Sequence, residues 1–157
     1  MVPSQDPVSW MDSRKVFLPS PLPHQLEILQ SDARFKVVCC GRRWGKTKAG
    51  LVAVVEGHGP PGCHIGALEG GNIWWVAPSN RVSSMIWRDL KHSLRGAWLY
   101  KSEVDRRIEL HTGGSITVRS GDQPDGLRGA GLDGLEIDEE AFVREEVWVE
   151  ALRPALA

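Results

Sequence analysis

The sequence predicts an α/β fold in which a mostly parallel central sheet is flanked by helices and carries a β-hairpin. Three observations predict it. An apolar run, residues 35–40, leads into Gly41-Arg42-Arg43-Trp44-Gly45-Lys46-Thr47 and then into a helix-compatible stretch, residues 48–56, which reads as strand, glycine-bearing loop, helix. A second apolar run at residues 72–77 and a third strand candidate at residues 132–138 supply the rest of the main sheet. Residues 107–111 and 115–119 alternate apolar and polar side chains around Gly113-Gly114, which is the pattern of a hairpin.

Composition bounds the answer. A chain of 157 residues has room for one domain with a sizeable core, and 41% apolar with 25% charged residues is an ordinary globular composition. No apolar stretch approaches a membrane span, and residues 1–10 lack a basic, apolar leader pattern. No membrane partner is expected, and the expected location is cytoplasmic. Three cysteines, two of them adjacent, make a poor disulfide framework and are expected to be reduced, small and buried. On a strand Cys39 and Cys40 face opposite sides, which argues against one ion held by Cys39, Cys40, Cys63 and His64. The net charge of −1 argues against a chain-wide grip on nucleic acid. Charge is unevenly placed, with seven Lys/Arg against three acids between Arg81 and Arg107, and eight acids against two arginines from Leu132 onward. The basic stretch reads as a solvated helix face in preference to a DNA contact.

Taken in order, residues 1–22 carry Pro and Ser without periodicity and form an N-terminal arm, and residues 23–157 form the domain. A short helix begins near Pro23, since proline suits a first helical turn. The helix after the glycine-bearing loop runs to about Glu56, where Gly57-His58-Gly59-Pro60-Pro61-Gly62 breaks it. The loop that follows reaches Gly71, long enough to be either mobile or functional. Asn72-Ile73-Trp74-Trp75-Val76-Ala77 is a buried strand, with Trp74 and Trp75 read as core in preference to base-stacking rings. A helix over residues 81–94 turns Val82, Met85, Ile86, Leu90 and Leu94 toward the core. After the hairpin and a polar loop, residues 121–131, comes the strand ending in Ile137-Asp138, and then a helix over residues 141–152 stopped by Pro154.

The chemistry lies in the loop and in the acidic pair. Gly-Lys-Thr at a helix mouth lets backbone N–H groups and the positive helix end face phosphate oxygens. Lys46 then reaches the β- and γ-phosphates and Thr47 holds Mg²⁺, making this a P-loop NTPase pattern in which ATP and Mg²⁺ are the expected cofactors. The usual pattern has glycine at position 40; here Cys40 stands there and the glycine is Gly41. Such a site needs an acid at a neighbouring strand end to order Mg²⁺ and another to polarise water. Asp138 and Glu139 fill those roles, Glu140 being aimed elsewhere by its one-residue shift. Asp133 and Glu136 interrupt what a buried parallel strand would keep apolar. Arg42 and Arg128 are candidates to stabilise charge on the γ-phosphate, with Arg43 a rival to Arg42 and a surface ion pair the alternative for each.

Pro23-His24-Gln25, Cys40-Gly41-Arg42-Arg43-Trp44-Gly45-Lys46-Thr47, Trp75-Val76-Ala77-Pro78, Leu127-Arg128-Gly129 and Ile137-Asp138-Glu139-Glu140-Ala141 occur in this order. The ordered set resembles the ATPase domain of the large terminase subunit of tailed bacteriophages, from about Leu22 to the last residue. The resemblance implies a motor that drives double-stranded viral DNA through a portal protein into a procapsid, working in the host cytoplasm with a small terminase subunit and as a homo-oligomeric ring. It also implies Gln25 as an adenine reader, Arg42 as an arginine finger within the subunit, Arg128 as a finger reaching the next subunit, and Gly41, Arg43 and Gly45 as loop contacts to nucleotide.

Two other readings share part of this pattern. A helicase-like translocase has the glutamine, phosphate loop and Asp-Glu box, while Arg42-Arg43-Trp44 and Leu127-Arg128-Gly129 favour the terminase. A nucleotide-binding assembly module would hold ATP without turnover. The sequence stops at Ala157, before the coupling motif and nuclease of the resembled family. In P-loop ATPases with a separate catalytic glutamate, the strand after the Asp138 strand inserts between it and the strand at 35–40. The expectation is therefore an incomplete C-terminus: a sheet lacking a middle member, with two unpaired edges and a poorly stable isolated chain.

Overall fold

The computed structural model describes residues 16–122, 127 and 131–156. Helix α1, Pro23–Gln30, has proline in its first turn, and the Leu22 N–H is accepted by Gln25 Oε1 at 2.8 Å, closing its entrance. Helix α2, Lys46–Glu56, starts after Gly45 and ends at Gly57, and both glycines have positive φ, 94° and 87°. Only glycine enters those regions without strain. Beyond α2, the Gly/Pro-rich segment is a small antiparallel ribbon, β1 (Gly57–His58) with β2 (His64–Ile65), followed by a 3₁₀ turn at Ala67–Glu69. The long loop expected there is thus largely structured.

The main sheet has five strands: β3 (Asn72–Ala77), β4 (Trp98–Ser102), β5 (Arg107–Leu110), β6 (Ser115–Ser120) and β7 (Gly134–Ile137), in the order β4-β5-β6-β3-β7. β3 is the centre, parallel to β6 on one side and to β7 on the other. The β4-β5-β6 meander is antiparallel, so the sheet is mixed where a mostly parallel one was expected. The expected hairpin is β5–β6; β4 extends it by a strand that the Trp98-Leu99-Tyr100 triplet, lacking alternation, did not announce. Helix α3, Asn80–Ser93, is capped by Ser79, whose side chain accepts the Val82 N–H at 3.5 Å.

Side chains from β3 alternate between two cores. Ile73 and Trp75 pack with Leu51, Val54 and Val55 of α2 and with Ile86, Trp87 and Leu90 of α3. Trp74 and Val76 point the other way, against Leu132, Val147, Ala151 and Leu152. Both tryptophans are buried, at 4% and 0% exposure, which makes them core and removes them as stacking platforms. Met85 corrects the expected helix face: it is exposed, and Trp87 takes its place inward. Fully burying a ring of that size gains more than burying a thioether.

Two expectations about backbone fail instructively. Residues 35–40 are not a strand and lie outside the sheet, with Phe35 58% and Val37 89% exposed. β7 pairs with β3 alone, its outer edge is open among the described residues, and all four of its residues are only half-buried. An apolar run becomes a strand when a neighbouring backbone pairs with it, and none does here. The helix expected over residues 141–152 is instead a 3₁₀ turn, Glu140–Phe142, a break at Val143, and a composite of α-turn Glu145–Val147, π-helical Trp148–Leu152 and α-turn Arg153–Ala155. Pro154 sits within that last turn rather than ending the helix before it, since the first turn of an α-segment has N–H groups to spare.

The cysteines are free, with Cys39 and Cys63 exposed and Cys40 half-buried, which corrects the expectation that all are buried. Among the described residues no His/Cys/Asp/Glu cluster has metal-binding geometry. No helix of the described residues is long and apolar enough to cross a membrane.

Candidate nucleotide site

Gly45 and Lys46 lie where the chain turns from the irregular residues 36–40 into α2. Arg43 takes a left-handed conformation, φ 65°, within that turn, which is uncommon for a residue with a side chain. Gly45 does the same at φ 94°, and its carbonyl accepts the first helical bond from Ala49 N–H at 3.0 Å. Gly41 is different: a Cβ there would meet nothing within 4 Å, so space does not demand its glycine. Lys46 Nζ folds back onto its own loop, donating to Cys40 O at 2.9 Å and Gly41 O at 3.4 Å. Arg42 and Arg43 are exposed, and neither has an ion-pair partner among the described residues, which disfavours the plain salt-bridge reading.

Opposite the loop stands the end of β7. Register places Glu136 beside Trp75 and Ile137 beside Val76. Strand alternation therefore turns Leu135 and Ile137 to one core and Glu136 and Asp138 to the α2 face. There the Thr47 hydroxyl and the Lys46 ammonium both lie near enough to the Asp138 carboxylate to favour its charged form. Asp138 nonetheless has a raised pKa: burial and the neighbouring Glu139 charge outweigh the Glu139 N–H, Lys46 and Thr47, which favour the carboxylate. Glu139 is exposed and left-handed, φ 52° and ψ 48°, and its carbonyl accepts the Phe142 N–H at 2.9 Å. A non-glycine residue in that region holds about 1–3 kcal/mol of strain, and such strain clusters at functional sites.

Gln25 reaches the loop from α1, its Nε2 lying 3.2 Å from both Trp44 O and Gly45 O. His24 adds a bond to Trp44 O at 3.3 Å and a ring contact with Trp44 at 4.8 Å. The structure thus brings Gln25, Gly41, Arg42, Arg43, Gly45, Lys46, Thr47, Asp138 and Glu139 to one end of α2. Arg128 lies outside the described residues.

No protein-family profile matches the chain. The terminase large subunits of Thermus phage G20c and Thermus virus P23-45 are each 30% identical to it over 158 aligned positions, covering 86% of this chain and 31% of the relative. The solved ATPase domain of the Thermus phage P74-26 large terminase superposes with a TM-score of 0.68 at 25% identity, over 87% of this chain and 60% of that one. A mutant form of the same domain superposes equally well. The chain is thus similar in sequence to large terminase subunits and in fold to a large terminase ATPase domain. It spans about a third of the length of these curated relatives, 31%.

In this chain sequence reasoning missed one group facing the site. Glu136 reads in the sequence as a flaw in a buried strand, yet its carboxyl is pressed against α2. A Cβ on Gly50 would lie 2.8 Å from Glu136 Oε1 and 2.9 Å from the Trp75 ring, so Gly50 is the gap that admits the acid. Burial, and secondarily the Asp138 charge, push the Glu136 pKa up to about 7. The i, i+2 spacing from Asp138 was the available signal, because it puts both acids on one face.

In the basic stretch, residues 81–107, four of the seven Lys/Arg are in ion pairs. Glu103 accepts from Lys101 Nζ at 2.7 Å, Trp87 Nε1 at 2.6 Å and Lys91 Nζ at 3.1 Å. Arg107 pairs with Glu109 at 2.9 Å and Arg88 with Asp89 at 3.5 Å. That is the arrangement of a solvated face.

Proposed function

We propose that this chain is the ATP-hydrolysing motor domain of a viral DNA-packaging terminase, coupling ATP hydrolysis to DNA translocation into a procapsid. The observation that carries the reading is the junction of α2 and β7: a phosphate-loop threonine facing a strand-end aspartate, with the loop lysine beside them. Nucleotide would lie across the loop with its phosphates facing the Gly45 to Thr47 amides and Lys46. The donor set suits Mg²⁺, a hard cation that takes oxygen ligands. Thr47 Oγ1 and the Asp138 carboxylate already face each other, and a cation beside Asp138 would offset the desolvation that raises its pKa. Mg²⁺ supplies charge neutralisation of the phosphates when bound.

This chain's own residues supply the rest. Lys46 exchanges its bonds to the Cys40 and Gly41 carbonyls for phosphate oxygens. Glu139 accepts the proton of the attacking water, and Asp138 and Thr47 hold the metal. Arg42, inside the loop, stabilises developing charge from within the subunit, and Arg128 does so from a neighbouring subunit in a ring. Arg43 and Gly41 complete the loop. Double-stranded viral DNA, the portal protein, the small terminase subunit and a host-cytoplasmic setting belong to the same proposal, and their support is the similarity to large terminase subunits.

Steady-state ATP hydrolysis measured beside equilibrium nucleotide binding tests the reading. Mg²⁺-dependent turnover supports a motor ATPase. Binding without turnover, in this chain and in one extended toward the length of its relatives, would favour an assembly module that holds ATP unhydrolysed.

A further inference from the structure

We propose that Gln25 is a positioning residue of the phosphate loop and not a reader of the base, so that the site selects triphosphates by their phosphates. The inference rests on the nucleotide-binding reading above and changes what that site recognises. Gln25 is 3% exposed, one of the few buried polar side chains. Its partners fix how the amide is turned. Trp44 O and Gly45 O can only accept, and both lie 3.2 Å from Nε2; the Leu22 N–H can only donate, and it lies 2.8 Å from Oε1. Both amide hydrogens and one of the two oxygen lone pairs are therefore used. Adenine presents N6–H as donor and N7 as acceptor, so reading it takes an acceptor and a donor together. Gln25 has no donor to offer unless it lets go of the loop.

Those same bonds orient the loop. In a planar trans peptide the C=O and N–H point in opposite directions. Drawing the Trp44 and Gly45 carbonyls toward α1 turns the Gly45 and Lys46 N–H groups to the far side, where they form the start of the anion-binding helix end. Gly45 reaches this arrangement at φ 94°, and a Cβ on it would lie 2.4 Å from Gln25 Nε2. Loop and glutamine are fitted to each other. His24 is a second tether on the same carbonyl, 3.3 Å from Trp44 O.

The test is equilibrium binding of ATP, GTP and inorganic tripolyphosphate, each with Mg²⁺, to the 157-residue chain and to Gln25→Met and Gln25→Glu. The methionine keeps the volume and removes every bond. The glutamate keeps the Leu22 bond and sets oxygen against the two loop carbonyls. All three ligands should weaken together, about tenfold for the loss of two neutral hydrogen bonds, with the ATP to GTP ratio unchanged. A loss confined to ATP, with GTP and tripolyphosphate bound as before, would overturn the inference and make Gln25 the base reader. If both variants melt before binding can be read, His24→Ala replaces them: a uniform loss of about twofold is expected, and three unchanged affinities would overturn the positioning role. Failure of the unsubstituted chain to bind any of the three is a distinct result that removes the nucleotide reading itself.

Discussion

The Thr47 hydroxyl and the Asp138 carboxylate face each other where the first turn of α2 meets the C-terminal end of β7, near enough for Thr47 to favour the ionised acid. The two residues are far apart in sequence. Glu139, the next residue, takes a left-handed conformation. From that placement the assignment of hydrolytic roles can be tested.

Glu139→Gln should keep ATP binding and lose turnover by about two to four orders of magnitude, the usual worth of a general base. Unchanged hydrolysis in this variant would move the role to Glu140. Lys46→Ala should act differently, weakening ATP binding itself, because the amine meets phosphates already present in the ground state. Titration of nucleotide binding beside steady-state rates separates the two effects.

Arg42 and Arg128 should divide by subunit. In a full-length ring, neither Arg42→Ala nor Arg128→Ala should hydrolyse well alone, but mixed rings should recover part of the activity. One interface then carries an intact site and an intact donor. No recovery, with subunit exchange confirmed, would contradict the division.

Stability should fall as pH rises through neutrality, and Glu136 should be a cause. Its pKa in the folded chain is about 7, above the usual 4.5. The folded state therefore holds a proton that the unfolded state has released between those values. The stabilisation is full below the unfolded pKa and declines as pH climbs toward and past 7. The shift corresponds to roughly 3 kcal/mol at most. Glu136→Gln should flatten this decline, seen as a smaller drop in melting temperature between pH 5 and pH 8. A Gln variant with the same slope would place the effect elsewhere.

A chain continued through one more strand and helix should melt at higher temperature and bind ATP more tightly than residues 1–157. The open edge of β7 and the 89% exposed Val37 on the unpaired segment carry this expectation. Pairing along that edge would cover apolar surface that is now half-exposed on β7 and largely exposed at Val37, at about 25 cal/mol per Å² buried. A cooperative melt and brisk turnover from the chain as given would show that the sheet needs no such addition.

Local features were legible in the sequence. The run Asn72-Ile73-Trp74-Trp75-Val76-Ala77 is apolar enough to be a central strand whatever surrounds it, and β3 is that strand. The glycine-bearing loop and the Asp138-Glu139 pair were readable because their chemistry depends on neighbours in the chain. Features set by distant backbone were not. Residues 35–40 have strand composition, but pairing belongs to two segments, and the composition of one does not supply the other. β4 forms because β5 offers it an edge, and Trp98-Leu99-Tyr100 alone shows no period. The inward turn of Glu136 depends on a missing side chain at Gly50, a coincidence of two elements that one-dimensional spacing only hints at. Gln25 was visible as a site residue, while its partners, the Trp44 and Gly45 carbonyls, became visible only once α1 was set against the loop.

The central place of β3 has a mechanical consequence. Parallel bonds on both of its edges join the strand that presents Asp138 to the strand that leads the meander, residue against residue. Trp74 and Trp75, driven into opposite cores, act as keys that stop β3 from sliding along its own axis. A tug on β7 is then passed sideways as shear through a stiff plate, with little slack to absorb it. Displacement at the acidic end of β7 should therefore arrive at the far side of the sheet nearly undiminished.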